Sequence, residues 1–263
     1  MPNNLKSKKI TISVVLCTYN PGSELNDAID SILRQTLLPN EVILIDDGSN
    51  EFSKKKITKL LKKNRNSKLK LFVNNTNIGL TKSLIKAVKL SSGKFIARID
   101  SDDIWHRRHL EYSIKALMQS GASLVGGESE PFGKMNKKIS NKKISYKILN
   151  DKFLFNPFVH SSVLFKKSEY NNVGRYSSNY KYSQDFELWI RFQISGVKII
   201  KLKNSTVITR VLKSGVSQRF RYDQMRSAIK AIIKNYGFSI YIIICLIIRI
   251  VIFLISTTKR SLF

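Results

Sequence analysis

Cysteine is almost absent from this chain: among 263 residues there are two, Cys17 and Cys245. Both stand inside apolar runs, so their spacing draws no disulfide framework and a reducing compartment is expected. Proline and glycine are also scarce, five and twelve residues, and no stretch rich in both divides the chain into separate domains. No internal repeat is visible. No Gly-x-Gly-x-x-Gly follows an apolar run, which argues against a dehydrogenase. Ile10 to Cys17 does not read as the core of a leader peptide. It is dominated by β-branched residues, runs into Thr18-Tyr19-Asn20-Pro21-Gly22 and lacks a small-residue cleavage site. The chain is expected to start in the cytoplasm.

Acidic residues are few, 18 against 46 lysines and arginines, for a formal charge of +28. A charge of that size attracts phosphate-bearing partners, whether nucleic acid, anionic lipid or a nucleotide, and does not choose among them. The lysines crowd at Lys54 to Lys70 and at Lys134 to Lys147, where solvated helix faces and loops explain them equally well. With 43% hydrophobic residues the chain can bury a substantial core.

What is present is an alternation. Ile10 to Cys17 is a nearly continuous apolar run and reads as a buried parallel strand. Leu25, Ala28, Ile29, Ile32 and Leu33 follow at helical spacing, and Glu41 to Asp46 repeats the strand signal. A helix over Lys54 to Lys63, a strand at Leu69 to Val73, a helix over Leu80 to Leu90 and a strand at Phe95 to Ile99 continue it. This order predicts an open, mostly parallel sheet covered on both faces. Further on, a helix is expected over Leu110 to Gln119, strands at Ser123 to Gly126 and Val159 to Phe165, and a short bulky-faced helix over Asp185 to Ile194. Strands at Val197 to Leu202 and Val207 to Val211 and a helix over Tyr222 to Tyr236 complete the pattern.

In such sheets ligands bind beyond the carboxyl ends of the strands. Two acidic clusters fall there, Asp46-Asp47-Gly48-Ser49 and Asp100-Ser101-Asp102-Asp103. A buried strand that delivers carboxylates at its end needs a cation or a donor to offset their desolvation, so a metal or a sugar hydroxyl is the natural partner. Hard oxygen ligands of this kind suit Mn2+ or Mg2+. Either cluster alone is also a common helix cap or turn sequence; two at the same sheet edge make that reading the weaker one.

Val14 to Asn20, Ile45 to Ser49, Asn77-Ile78-Gly79-Leu80 and Ala97 to Asp103 together, in order and spacing, resemble the family 2 glycosyltransferases over about Ile10 to Val211. The resemblance implies the glycosyltransferase-A fold: a Rossmann-like, mostly parallel central sheet with helices on both faces. It also implies a nucleotide diphosphate sugar donor and inversion at the anomeric carbon. Carried over, Thr18 and Tyr19 line the nucleoside pocket with Asn20 beside them, and Asp47 accepts from the base. Asp100 lies against the ribose or the metal, and Asp102 ligates the metal. Asp103 joins this group or caps a helix entered at Ile104. Lys82 is a further candidate for the diphosphate.

An inverting transfer needs a carboxylate opposite the leaving group. Gln184-Asp185-Phe186-Glu187-Leu188-Trp189 resembles the family's acidic pair, with Gln184 where the first acid usually stands, and makes Asp185 the expected base. Glu187 is the rival base, and a helix N-cap is the rival role for Asp185. His160 is a candidate for the acceptor side, or a satisfied core residue. Trp105 and Trp189 are candidates to stack on a sugar, Trp189 more naturally as core. Ser214 to Arg219 is a candidate flap over the donor.

Phe238 to Ser256 is a 19-residue apolar run with one charge, Arg249, followed by Lys259 and Arg260. It is long enough to span a bilayer, but an arginine at its middle favours a shallow or re-entrant membrane-associated helix. A buried core helix or an oligomer interface is the alternative. The expected organisation is therefore a basic segment at 1–9, a catalytic domain at 10–215, a helical extension at 216–237 and a membrane-associated hydrophobic helix with a basic tail at 238–263. The function expected is sugar transfer from a nucleotide diphosphate sugar to a saccharide or polyprenyl-diphosphate-linked acceptor, in cell-surface polysaccharide synthesis at the cytoplasmic face of the plasma membrane. A sugar nucleotidyltransferase would want a glycine-rich phosphate loop where Thr18 to Ser23 stands. A basic nucleic-acid-binding protein would not need the paired aspartates, and no nucleic-acid partner is expected.

Overall fold

A computed structural model describes residues 10–64, 68–133, 144–210 and 219–251, apart from 241 and 245. The basic segment 1–9, most of the Lys134 to Lys147 stretch, the flap expected at Ser214 to Arg219 except its last residue, and the tail 252–263 lie outside the described residues. The central sheet has eight strands in the order β3-β2-β1-β4-β9-β6-β10-β8. These are β1 (Ile12–Thr18), β2 (Glu41–Asp46), β3 (Leu69–Val73), β4 (Phe95–Asp100), β6 (Leu124–Gly126), β8 (Tyr146–Ile148), β9 (Leu164–Lys166) and β10 (Ile199–Leu202). The first four are mutually parallel; β9 runs antiparallel to both β4 and β6, and β8 antiparallel to β10. A small second sheet orders β5 (Ile104–Trp105), β11 (Val207–Thr209) and β7 (Ser129–Pro131).

The period-two side-chain alternation of β1, β2 and β4 divides the core into two halves, one on each face. Val15, Cys17, Ile43, Ile45 and Ile96 pack beneath α3 (Leu80–Leu90), α6 (Gln184–Ile194) and α7 (Arg221–Tyr236). Val14, Leu16, Val42, Leu44, Ala97 and Ile99 pack against α1 (Glu24–Leu33), α2 (Glu51–Asn64) and α4 (His109–Ser120). A short α5 (Lys167–Asn172) follows β9. Beyond α7, helical backbone returns at 240, 242–244 and 246–251. Among the described residues no helix is long and apolar enough to cross a membrane.

Two expectations are corrected. The strand expected from Val159 begins only at Leu164, because His160–Ser162 forms a 3-10 turn instead. Ser162 Oγ there donates to the Gly127 or the Val159 carbonyl and accepts from the Gly127 N–H, which holds the chain in the turn. The helix expected at Ile104 is absent, since Ile104–Trp105 pairs as a strand with Val207 and Ile208.

At the amino edge of the sheet one carboxylate ties three strands together. Glu41 is buried and accepts from Ser13 Oγ (2.7 Å), Ser92 N–H (2.6 Å), Ser92 Oγ (2.8 Å) and Lys70 Nζ (2.8 Å). Burial alone would push this acid up, but the hydrogen bonds from Lys70, Ser92 and Ser13 outweigh it and bring its pKa down to about 2. The folded value lies below the unfolded one, about 4.3, so the stabilisation is complete above that value and is lost as pH falls toward 2. Glu41→Gln is expected to lower the urea-unfolding free energy at neutral pH by on the order of 2 kcal/mol, and the gap from the parent protein should close as the medium is acidified through about pH 4.

Candidate active site

The parallel register sets the level at which the first strands end. Thr18 stands opposite Asp46, and Cys17 opposite Asp100, so both acidic clusters share one edge. Thr18 is buried, its Oγ1 has no hydrogen-bond partner among the described residues, and one oxygen of buried Asp46 is likewise unpartnered among them. The other Asp46 oxygen accepts from the Ser49 N–H at 3.1 Å. Tyr19 is 53% exposed above them. Asn20 takes a left-handed backbone (φ 46°), donates its N–H to Ser49 Oγ at 2.8 Å and accepts from the Asn50 N–H at 2.8 Å. It thereby joins the loop after β1 to the loop after β2.

Asp47 organises the next loop. Its carboxylate accepts from Asn74 Nδ2 (2.8 Å) and from the Ile78 and Gly79 N–H groups (3.0 and 2.9 Å), the last two at the mouth of α3. Gly48 permits this approach: it has φ +74°, and a Cβ there would lie 2.3 Å from the Thr76 carbonyl carbon. Lys82 lies exposed on α3.

The second cluster is built around Arg98, which is only 2% exposed although it is a cation in a strand. Its guanidinium forms two hydrogen bonds to the Asp100 carboxylate, two residues along the same strand face. Ser161 Oγ, on the 3-10 turn, donates to Asp100 (3.1 Å) or to Asp103, and accepts the Asp100 N–H at 3.0 Å. Asp103 also accepts from the Arg210 N–H at 3.3 Å and caps no helix. Burial first, then the charge of Asp100, raises Asp103 to about 7 and Asp102 to about 6. Asp102 is half-buried, and among the described residues no other side chain donates to its carboxylate. Among those residues, too, no three His, Cys, Asp or Glu side chains form a complete metal cage. The donor set at Asp100 and Asp102 fits an ion completed by substrate phosphates, the usual way of holding Mg2+ or Mn2+.

A further carboxylate comes from α6, within reach of the Arg98 charge. The N-cap of α6 is Ser183, so Asp185 stands inside the first turn and is not the cap. Asp185 accepts from Asn156 Nδ2 at 2.5 Å. Burial raises its pKa against the pull of the Phe186 N–H, Asn156 and the charge of Arg98. Glu187, by contrast, is 1% exposed, and Arg191 grips both its oxygens at 2.8 and 2.7 Å. Gln184 is buried. His160 bonds through Nε2 to the Tyr176 hydroxyl at 2.8 Å and meets the Trp189 ring edge-on. Burial and Arg98 hold it well below the ordinary histidine value, so it is neutral. Trp105 and Trp189 are both core residues; the Trp105 indole donates to the Ser161 carbonyl at 2.6 Å.

Arg98, Ser161, Asn156 and Tyr176 carry no assigned role from sequence alone. Arg98 had a signal: a lone cation within Phe95-Ile96-Ala97-Arg98-Ile99 must find an anion once that run is buried. The others meet their partners only across the fold.

Acidic clusters at the carboxyl edge of a mostly parallel sheet, with a carboxylate on a later helix within reach of the Arg98 charge, define a transferase of the glycosyltransferase-A kind. The chain belongs to glycosyl transferase family 2, whose family model matches residues 13–182, and it is a glycosyltransferase. It is 28% identical over 234 residues to the UDP-Gal:alpha-D-GlcNAc-diphosphoundecaprenol beta-1,3-galactosyltransferase of Escherichia coli, covering 83% of this chain and 81% of that one. Among solved structures it matches S. aureus TarS 1–349 in complex with UDP-GlcNAc (TM-score 0.67, 18% identity, 86% of this chain and 67% of that one). It also matches the mannosyltransferase PcManGT of Pyrobaculum calidifontis in complex with GDP-Man and Mn2+ (TM-score 0.68, 15% identity, 89% and 66%). The chain spans 40% of the length of the longer TarS structure. At these identities the structural likeness concerns the fold.

Asp47→Ala would leave the Ile78 N–H without its acceptor and reduce Asn74 Nδ2 and the Gly79 N–H to their second acceptors, Ser83 Oγ and Asn77 Oδ1. Denaturant unfolding is expected to show a loss of about 3 kcal/mol, with faster amide exchange at Ile78 and Gly79. Unchanged exchange there would contradict the anchoring role.

Proposed function

We propose that this glycosyltransferase moves a sugar, with inversion, from a nucleotide diphosphate sugar to a saccharide or polyprenyl-diphosphate-linked acceptor in cell-surface polysaccharide synthesis. The observation that carries this reading is the pairing of two environments around Arg98. On one side are the strand-end carboxylates Asp100 and Asp102; on the other is Asp185, close enough to feel the Arg98 charge yet held by Asn156. The names of the relatives support it: the Escherichia coli enzyme takes UDP-Gal to an undecaprenyl diphosphate acceptor, and TarS and PcManGT were solved with UDP-GlcNAc and GDP-Man.

In this reading the unpartnered Thr18 Oγ1 and Asp46 oxygen, with Tyr19 and Asn20, receive the nucleoside. Asp47 accepts from the base through lone pairs not used on the loop. Asp100, fixed by Arg98, faces the ribose or the metal, and Asp102 holds the metal. Bound there, Mn2+ or Mg2+ supplies charge to stabilise the leaving nucleoside diphosphate. Lys82 stands on α3, where a flexible cation can reach phosphate oxygens. Asp185 takes the proton of the acceptor hydroxyl as its oxygen bonds to the anomeric carbon and the sugar–phosphate bond breaks on the opposite face. Glu187 is unsuited to that task, since Arg191 occupies both its oxygens. His160, neutral and held by Tyr176, lines the acceptor side.

The membrane reading rests on residues 238–263 and the +28 charge. The helical backbone at 240, 242–244 and 246–251 suits a helix that lies in the interface, with the basic residues of α7, Arg226, Lys230 and Lys234, attracted to an anionic cytoplasmic leaflet.

Chelation with EDTA is expected to abolish transfer, with Mn2+ or Mg2+ restoring it; Asp102→Ala should weaken Mn2+ binding in the presence of the nucleotide, read by calorimetry. Persistent turnover in excess chelator would rule the metal out. Asp185→Asn is expected to reduce kcat by about 10²- to 10⁴-fold with donor KM little changed. Because burial raises the pKa of Asp185, the acid limb of the parent kcat profile should lie above the ordinary aspartate range, about 3.9, with activity lost as pH falls through it. A variant with undiminished kcat would remove Asp185 from the mechanism.

A further inference from the structure

Arg249 is the single charge in the apolar run from Phe238 to Ser256, and in a simple lipid-buried helix it would be costly. The fold gives it a different surrounding. Its guanidinium donates to the Leu154 carbonyl and lies over the rings of Phe155 (5.0 Å) and Phe186 (5.3 Å). Phe186 follows Asp185 directly, and Phe155 precedes Asn156, the residue that donates to Asp185. Arg249 therefore touches both segments that carry the Asn156–Asp185 hydrogen bond. Burial brings it down only to about 10, so it remains a cation at neutral pH.

The same rotation of the helix sorts its apolar residues. Ile242 is fully buried and Leu246 packs against the core, which with Arg249 gives an inward row at 242, 246 and 249. The outward row is Ile240, Ile243, Ile244, Ile247, Ile248 and Val251, all exposed. Its spacing of three and four is that of one continuous helix face, and with Arg249 turned inward it bears no charge. Phe238, 77% exposed at the head of the helix, and half-exposed Phe155 beside Arg249 are aromatics of the kind that settle at a headgroup boundary. The chain around this face is strongly basic, and Lys259 and Arg260 follow in sequence. An apolar stripe with basic flanks is complementary to an anionic lipid surface.

We propose that the 240–251 face rests on an anionic bilayer surface, and that Arg249 acts as a positioning residue that transmits this contact to the loop 153–156 and so to the Asn156–Asp185 pair. Docking would then order the acceptor side of the site where a lipid-linked acceptor emerges. This inference rests on the reading of Asp185 as the base.

The test uses the full chain with vesicles of phosphatidylethanolamine and phosphatidylglycerol, compared with phosphatidylcholine alone. The parent protein is expected to float with the anionic vesicles and to show slowed amide exchange over residues 153–158 when bound. Ile244→Asp/Ile248→Asp should lose flotation with its melting temperature retained. Arg249→Ala should still float but lose the slowing at 153–158, and Arg249→Lys, which keeps a cation over Phe155 and Phe186, should recover part of it. Failure of the parent protein to float, or full slowing in Arg249→Ala, would overturn the proposal. So would a parent dimer that Ile244→Asp/Ile248→Asp converts to monomer, since the face would then be a contact between copies. These readouts do not involve turnover, so an Asp185→Asn variant that kept full activity would sink the base assignment while leaving the lipid contact to stand or fall by itself.

Discussion

A guanidinium buried at the end of β4 must have an anion, and that requirement arranges the site. Arg98 is almost fully buried, so the cost of desolvating it is offset by a carboxylate in hydrogen-bonding geometry. Asp100 provides it from the same strand face, and Ser161 completes the set from the 3-10 turn that replaces the first part of an expected strand. The charge of Arg98 also reaches His160 and Asp185. One cation thus holds the strand-end cluster, adds to the burial that lowers the pKa of the histidine and opposes the rise in the pKa of Asp185.

This arrangement separates residues that look equivalent in the sequence. Asp100, Asp102 and Asp103 are near neighbours, yet the first is engaged by Arg98, the third is buried against Ser161 and the Arg210 N–H, and Asp102, half-exposed, has no side-chain donor among the described residues. Asp185 and Glu187 divide in the same way on one helical turn. Glu187 is locked by the i,i+4 pair with Arg191, whose guanidinium also donates to the carbonyls of Val173 and Arg175. It is a structural ion pair, and the carboxylate two residues earlier is the one with chemical freedom.

The parallel half of the fold was legible because β1, β2 and β4 are buried on both faces, which forces near-continuous apolar runs that end in recognisable turn residues. Asp46, Asp47, Asp100 and Asp102 were legible for the same reason, as carboxylates placed where such a run stops. The later half was not. The strands β5, β7 and β8 have two or three residues each and no room for a period, so pairing across the fold decides them. Ser161 and Ser162 override a strand-like run through hydrogen bonds to Asp100, Asp103 and Gly127, which lie 35 to 61 positions away. Arg249 shows the limit from the other side. Its charge could be read, but the Leu154 carbonyl and the two phenylalanine rings that receive it could not.

The two edges of the sheet differ in a way that assigns them different work. At the amino edge Glu41 accepts four hydrogen bonds from two neighbouring strands and a loop, and its low pKa is the sign of a fully satisfied anion. At the carboxyl edge Thr18 Oγ1, one oxygen of Asp46 and Arg98 Nε are buried without partners, and Asp102 and Asp103 sit above their ordinary values. Unmatched buried polar atoms cost about 1 to 3 kcal/mol each. A fold that satisfies a buried carboxylate four times over at one edge has the means to satisfy its neighbours at the other. Unpartnered buried atoms occur elsewhere among the described residues as well, on α4 and at Tyr180, Trp189 and Arg210. Those at the strand ends stand beside carboxylates whose pKa is raised, which fits a surface shaped for a polar, multiply charged ligand: a nucleotide diphosphate with its cation brings both the donors and the charge that this edge lacks.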